Sequence, residues 1–263
     1  MPSDVGKVLL VGAGPGAADL MTVRAMRAVE GAQALLYDAL VDPEIIALAP
    51  AACLRIQTGK RAGKLSMKQE TINKLMLRLA RRGLNVVRLK GGDPSVFGRS
   101  GEERAFLEGY GVPVEIVPGV TSASAAAAQF GFPLSHRGQA RRIAFATARG
   151  LDGDLVEGGW TSLADAETTV VLYMARDAAR LAAGRLMEAG RDSATPAAVI
   201  ENAGRPQARL IRATLASLGD VVEAADISGP ALLVVGEAVA QARTAAGLDE
   251  LTDQALTAVA GRR

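Results

Sequence analysis

A chain of 263 residues, 49% apolar and only 3% aromatic, has room for one large or two modest α/β domains built from tightly packed helices and parallel strands. A single cysteine, Cys53, and a single histidine, His136, exclude an internal disulfide framework, a multi-cysteine zinc site and the histidine pairs of most transition-metal centres, so no protein-bound metal is expected. The formal net charge is only +2, no apolar run reaches the roughly 18 residues of a spanning helix, and Met1-Pro2-Ser3-Asp4 runs into Val8-Leu9-Leu10-Val11 without a signal-peptide pattern; a cytoplasmic protein with no membrane partner is expected.

In chain order, Lys7 to Val11 reads as a strand, followed by the turn Gly12-Ala13-Gly14-Pro15-Gly16-Ala17 and a helical period over Asp19 to Val29. Gln33 to Tyr37 is a second strand ending at Asp38. This nearly matches the dinucleotide fingerprint, with Asp38 placed to bind a ribose hydroxyl. Pro15, however, removes an amide that would face a pyrophosphate, and the helical pattern begins late. Leu54 to Gln57 is a third strand. Lys60, Arg61, Lys64 and Lys68 then fall within nine residues; composition alone favours a solvated loop, and an acidic ligand is the functional alternative. Without interleaved aromatics the cluster does not read as a nucleic-acid site. The apolar face Ile72, Leu75, Met76 and Leu79 marks a helix over Ser66 to Arg82 with Ser66 as N-cap. Asn85 to Leu89 is a fourth strand.

Its continuation, Gly91-Gly92-Asp93-Pro94, is a second glycine turn that offers exposed backbone to a flat ligand and a carboxylate to a cation or hydroxyls; the plainer reading is a tight turn capped by Asp93. Val114 to Val117 leads into Pro118-Gly119-Val120-Thr121-Ser122 and a helix over Thr121 to Gln129. The Pro- and Gly-bracketed segment Phe132 to Gly138 then breaks the pattern, and a domain boundary is placed at residue 135. Beyond it, Ile143 to Ala146, Thr169 to Tyr173, Ala197 to Glu201, Arg209 to Thr214 and Ala231 to Val235 read as strands, with a helix over Asp177 to Met187. Too few residues separate Glu201 from Arg209 for a helix, so a hairpin and a mixed sheet are expected there. The expected organisation is an α/β domain over 1–135, a second over 136–240 and a helical tail over 241–263.

Taken together, Val11-Gly12-Ala13-Gly14-Pro15-Gly16, Tyr37-Asp38-Ala39-Leu40-Val41, Gly59-Lys60-Arg61, Arg88-Leu89-Lys90-Gly91-Gly92-Asp93-Pro94 and Val117-Pro118-Gly119-Val120-Thr121-Ser122 resemble, in order and spacing, the tetrapyrrole methyltransferases. Phe132-Pro133-Leu134, Val171-Leu172-Tyr173-Met174 and Gly229-Pro230-Ala231-Leu232-Leu233-Val234-Val235-Gly236 extend the resemblance to about residue 240. Two departures fall in the second half: Ala146-Thr147-Ala148-Arg149-Gly150 where the family commonly has Thr-Gly-His, and Ala203-Gly204 where it has Gly-Thr.

The resemblance implies a fold of two α/β domains, with S-adenosyl-L-methionine and a tetrapyrrole substrate in the cleft between them, and a homodimer. It implies methylation of uroporphyrinogen III at C2 and C7 to precorrin-2, releasing S-adenosyl-L-homocysteine. The alternatives are another tetrapyrrole position or a macromolecular target, and, from the Gly12 turn, a dinucleotide-binding oxidoreductase. By resemblance, Pro15, Gly91, Gly92, Asp93, Val96, Thr121, Ser122, Met174, Ala203 and Ala231 match cofactor positions, and Asp38 and Lys60 match the proton acceptor and donor. Lys60, Arg61 and Lys64 suit the substrate's carboxylates, with Arg141, Arg142 and Arg149 as further candidates. His136 is read as structural or substrate-contacting.

Overall fold

The computed structural model describes residues 5–59, 67–148, 150 and 158–243. They form two compact units, Met1–Ser122 and Ala123–Arg263, each built on a five-stranded sheet.

The first unit alternates strand and helix: β1 (Val8–Gly12), α1 (Val23–Glu30), β2 (Ala34–Tyr37), α2 (Pro43–Ala47), β3 (Leu54–Gln57), α3 (Gln69–Ala80), β4 (Val86–Lys90), α4 (Ser100–Gly109) and β5 (Val114–Val117). Its sheet has the order β3-β2-β4-β1-β5, with every pairing parallel. Because side chains alternate along a strand, Val11, Leu35, Val87 and Leu89 enter one core with Ala25, Val29 and Ile45 of α1 and α2. Val8, Leu10, Leu36 and Val86 enter the other with Met76 and Leu107 of α3 and α4. Both faces are covered, which is why the central strands are nearly continuous apolar runs. Cys53 lies in the first of these cores, and burial pushes its thiol pKa up.

In this unit two helix starts differ from the sequence reading, and two helices are additional. The period over Asp19 to Val29 is interrupted: a 3-10 turn covers Ala18–Leu20, and α1 starts only at Val23, where the Thr22 hydroxyl accepts the Ala25 N–H at 3.1 Å. α3 starts at Gln69 behind Lys68, without a side-chain cap; Ser66, the expected cap, lies outside the described residues. α2 and α4 are additional, the former capped by Asp42 and opened by Pro43.

In the second unit, α5 (Ser122–Gln129) precedes β6 (Arg142–Thr147), α6 (Trp160–Leu163), β7 (Thr168–Tyr173), α7 (Ala179–Glu188), β8 (Pro196–Glu201), β9 (Arg209–Thr214), α8 (Leu218–Ala224) and β10 (Ala231–Val235). The order is β6-β7-β10-β8-β9. Only β6 and β7 run parallel, while β8 and β9 form the expected antiparallel hairpin. One face packs on α7 and α8 through Val170, Leu172 and Leu233. The other carries Val171, Ile200 and Leu232 against Ala123 and Ala126 of α5, whose small side chains allow close approach. No helix among the described residues is long and apolar enough to cross a membrane. Glu237–Gln241, leading into the expected tail, is a 3-10 turn, and residues 244–263 of that tail lie outside the described residues.

Candidate active site

In the first unit, the loops after β1, β2, β4 and β5 gather at the C-terminal edge of the parallel sheet, the usual ligand edge of such folds. The two glycine turns are bonded to each other. Gly14 N–H donates to Gly92 O at 3.2 Å, Gly92 N–H donates back to Gly14 O at 2.7 Å, and Ala13 N–H reaches Lys90 O at 2.8 Å. Gly14 and Gly92 both adopt left-handed backbone, with φ of 75° and 69°.

Gly12, Gly92 and Gly119 meet backbone to backbone. A Cβ on Gly12 would lie 2.6 Å from Gly119 N, and one on Gly119 would lie 2.3 Å from Gly92 O. These pairings decide against the dinucleotide reading of the first turn. The amides of Ala13 and Gly14 are spent on β4 and the loop after it, and no α-helix starts at the turn to add its positive end.

Asp93 ties the arrangement to β5. One carboxylate oxygen accepts Ser95 N–H at 2.7 Å, and the other accepts Gly119 N–H at 2.9 Å. The carboxylate therefore closes its own turn and also fixes the Gly119-to-Ser122 segment, so both sequence readings of Asp93 meet in one residue. Val96 follows in the same turn, its N–H on Asp93 O at 3.2 Å, and Pro15, Gly91, Thr121 and Ser122 are half-buried.

Asp38 ends β2 beside this loop. Its Oδ1 accepts Leu40 N–H at 3.0 Å, and its Oδ2 faces Gly91 N at 3.4 Å. Gly59 packs on the same segment, since a Cβ there would lie 2.3 Å from Ala39 N. Lys60, Arg61 and Lys64 lie outside the described residues.

In the second unit, the ends of β7 and β8 and the start of β10 come together. Ala231 is in register with Glu201, and Leu232 with Tyr173. Glu201, 3% exposed, accepts the N–H groups of Ser228 and Gly229 at 2.9 and 2.5 Å and the Arg209 guanidinium at 2.5 Å. Burial raises its pKa, but the Gly229 amide and Arg209 outweigh this and hold it below the ordinary carboxylate range. This carboxylate fixes the approach to Ala231, and Asn202 N–H donates to Pro230 O at 2.9 Å, bringing Ala203 alongside.

Met174 and Asn202 both carry left-handed backbone, φ 54° each, and Met174 is 59% exposed at the strand end. A large apolar side chain held outward by an uncommon backbone conformation is typical of a ligand-contacting position. The Tyr173 hydroxyl accepts Ala123 N–H at 3.3 Å, fixing the first turn of α5.

Three further candidates are placed by the structure. Arg141 and Arg142 pair with Glu167 and Asp165 at the start of β6, the opposite end of the strand from Thr147 and the Met174 edge. They are engaged away from that edge; Arg149 lies outside the described residues. His136 exchanges backbone bonds with Ala140 at 2.9 and 2.8 Å in a tight turn, a structural placement.

The sequence reading also passed over a buried charge cluster under the Gly91 loop, made by Arg88, Lys90 and Glu103. The signal was available in the sequence: two cations inside a strand with both faces covered.

With this geometry in place, comparison with known proteins gives a consistent result. A family model described as tetrapyrrole (corrin/porphyrin) methylases matches residues 7–219. The siroheme synthase of Azotobacter vinelandii is 45% identical over 238 residues, covering 90% of this chain and 51% of that protein. The uroporphyrinogen-III C-methyltransferase of Bacillus subtilis is 42% identical over 235 residues, 89% of this chain and 91% of that protein. A crystal structure of uroporphyrin-III C-methyl transferase from Thermus thermophilus, complexed with S-adenyl homocysteine, superposes with a TM-score of 0.78 at 41% identity over 89% of this chain and 99% of that one. The chain thus spans about half the length of the siroheme synthases it matches.

Proposed function

From the membership of this chain in the tetrapyrrole (corrin/porphyrin) methylase family, we propose that it is an S-adenosyl-L-methionine-dependent C-methyltransferase that converts uroporphyrinogen III to precorrin-2 by methylation at C2 and C7. The observation that carries the reading is the reciprocal bonding of Gly14 and Gly92. It takes up amides that would hold a pyrophosphate, and it presents backbone and small side chains to a flat, compact ligand instead. The near full-length match to the Bacillus subtilis enzyme supports the substrate.

The residues assigned to the cofactor are Pro15, Gly91, Gly92, Asp93, Val96, Thr121, Ser122, Met174, Ala203 and Ala231. In each transfer a pyrrole β-carbon attacks the sulfonium methyl, the new C–C bond forms as S–CH3 breaks, and S-adenosyl-L-homocysteine leaves as a neutral thioether. Positive charge passes from sulfur to the pyrrole, and a proton must then depart. Holding the two reactants in line accounts for roughly several kcal/mol of the barrier, and a water-poor site disfavours the charged ground state. Asp38, anchored by Leu40 N–H, is assigned as proton acceptor and Lys60 as donor. Lys60, Arg61 and Lys64 would receive substrate carboxylates. A homodimer in the cytoplasm, with no nucleic-acid or membrane partner, completes the reading.

Titration calorimetry separates the ligand classes: S-adenosyl-L-homocysteine is expected to bind and NADH and NADPH are not. Tight NADH binding with no thioether binding would overturn the assignment. Asp93→Ala, which frees Gly119 N–H, is expected to weaken S-adenosyl-L-homocysteine binding by roughly tenfold or more, the loss of a charged hydrogen-bond acceptor. Lys60→Ala is expected to lower turnover with thioether affinity retained. Equal, negligible effects would reject both roles.

A further inference from the structure

Arg88 and Lys90 alternate along β4 with Val87 and Leu89, so they project toward α3 and α4. They are 5% and 6% exposed, and Glu103 of α4 is fully buried. Lys90 Nζ lies 3.0 Å from both Glu103 oxygens, Arg88 Nε lies 3.4 Å from one of them, and Gln69 of α3 donates to the same oxygen at 2.9 Å. Gln69 and Asn73, the neutral residues α3 contributes, bond to each other. Two buried cations therefore face one buried carboxylate. Arg88 also donates to the Leu89 carbonyl at 3.2 Å, but a carbonyl carries no net charge, and an uncompensated buried charge is costly, so a second anion nearby is favoured.

Two other carboxylates act on Lys90. Glu102 of α4 is half exposed and is already held by Arg99 at 2.7 and 2.9 Å. Asp38 directly follows the neighbouring strand: the register ends with Tyr37 against Leu89, one residue before Asp38 and Lys90, and Asp38 faces the amide of Gly91, the residue after Lys90. Burial and the charge of Arg88 push the Lys90 pKa down, while Glu103 and Asp38 pull it back up.

We propose that Lys90 is a positioning residue for Asp38: its buried ammonium, gripped from below by Glu103, supplies the unneutralised positive charge that holds the Asp38 carboxylate against the Gly91 loop. The inference rests on reading Asp38 as the proton acceptor. Leu40 N–H fixes Oδ1 at 3.0 Å, whereas the 3.4 Å contact to Gly91 N holds Oδ2 only weakly, and the ammonium adds a restraint on that side without touching substrate. Because burial lowers the pKa at which Lys90 loses its proton, the restraint disappears on the alkaline side earlier than for an exposed lysine.

The test uses the full chain with lysine labelled by 13C at Cε, following Lys90 by NMR as pH rises. Asp38→Asn and Glu103→Gln are each expected to lower the Lys90 midpoint by roughly half a unit or more, and Glu102→Gln to move it far less. In methyl-transfer assays, Lys90→Met is expected to lower kcat by about tenfold or more with S-adenosyl-L-homocysteine affinity within about twofold. Lys90→Arg is expected to recover part of kcat and to move the alkaline limb of the profile to higher pH, since guanidinium stays charged. Glu103→Gln shifts that limb to lower pH. An unmoved Lys90 midpoint in Asp38→Asn overturns the proposal, as does parallel loss of kcat and affinity in Lys90→Met. Should the parent protein transfer no methyl group, the proposed function fails, while the titration still decides whether Lys90 and Asp38 are coupled.

Discussion

Glu103→Ala is expected to destabilise the protein by about 3–5 kcal/mol, the cost of breaking a buried ion pair from one side, read as a lower urea midpoint by far-UV circular dichroism. The carboxylate has no exposed surface and receives three donors from two elements, Gln69 on α3 and Arg88 and Lys90 on β4, while itself standing on α4. Removing it strands two cations among Leu36, Met76 and Leu107, where water cannot replace the lost acceptor. Glu103→Gln retains an acceptor oxygen for Lys90 or Gln69 and is expected to cost less. A change below about 1 kcal/mol, the scale of an exposed pair, would mean that the cluster is solvated.

Gly119→Ala is expected to lower S-adenosyl-L-homocysteine affinity by about a hundredfold, roughly 2.7 kcal/mol, with little change in the circular dichroism spectrum. The added Cβ would sit 2.3 Å from Gly92 O and 2.9 Å from Gly12 Cα, all backbone atoms that no side-chain rotation can move. The Gly91–Pro94 loop and the Gly119 segment must separate, breaking the Asp93 to Gly119 N–H bond that aligns them. Gly101→Ala is the matched control: it lies on α4, and nothing stands within 4 Å of its added Cβ. Similar affinities for the two variants would show that the glycine contact does not shape the ligand site.

Much of this was legible before any coordinates. Strands such as Val8–Gly12 and Ala34–Tyr37 are short, mostly apolar runs bounded by turn residues, and the hairpin follows from the few residues between Glu201 and Arg209. The elements that escaped have physical causes. α4 buries Ser100, Glu103 and Leu107, a helical spacing in which a charged residue occupies a core position, so an apolar count sees nothing. α2 has only five residues, too few to display a period. α8 follows β9 after a short turn and buries only Leu218 and Gly219.

At the site, the family resemblance makes Arg141 and Arg142 candidates for a carboxylate ligand, but only tertiary structure places Glu167 and Asp165 against them. The sequence likewise suggests both a capping and a ligand-binding role for Asp93. The bonds to Ser95 and Gly119 explain how one carboxylate shapes the loop that the cofactor is assigned to.

The central claim is that the chain transfers methyl groups from sulfonium to a pyrrole carbon of uroporphyrinogen III. Its most direct measurement is anaerobic incubation of the full chain with uroporphyrinogen III and S-adenosyl-L-methionine labelled in the methyl group, followed by mass analysis of the tetrapyrrole. A product carrying two labelled methyl groups, formed with matching release of S-adenosyl-L-homocysteine, is expected. Label that stays on S-adenosyl-L-methionine, with protein that is folded and binds the thioether, would contradict the claim.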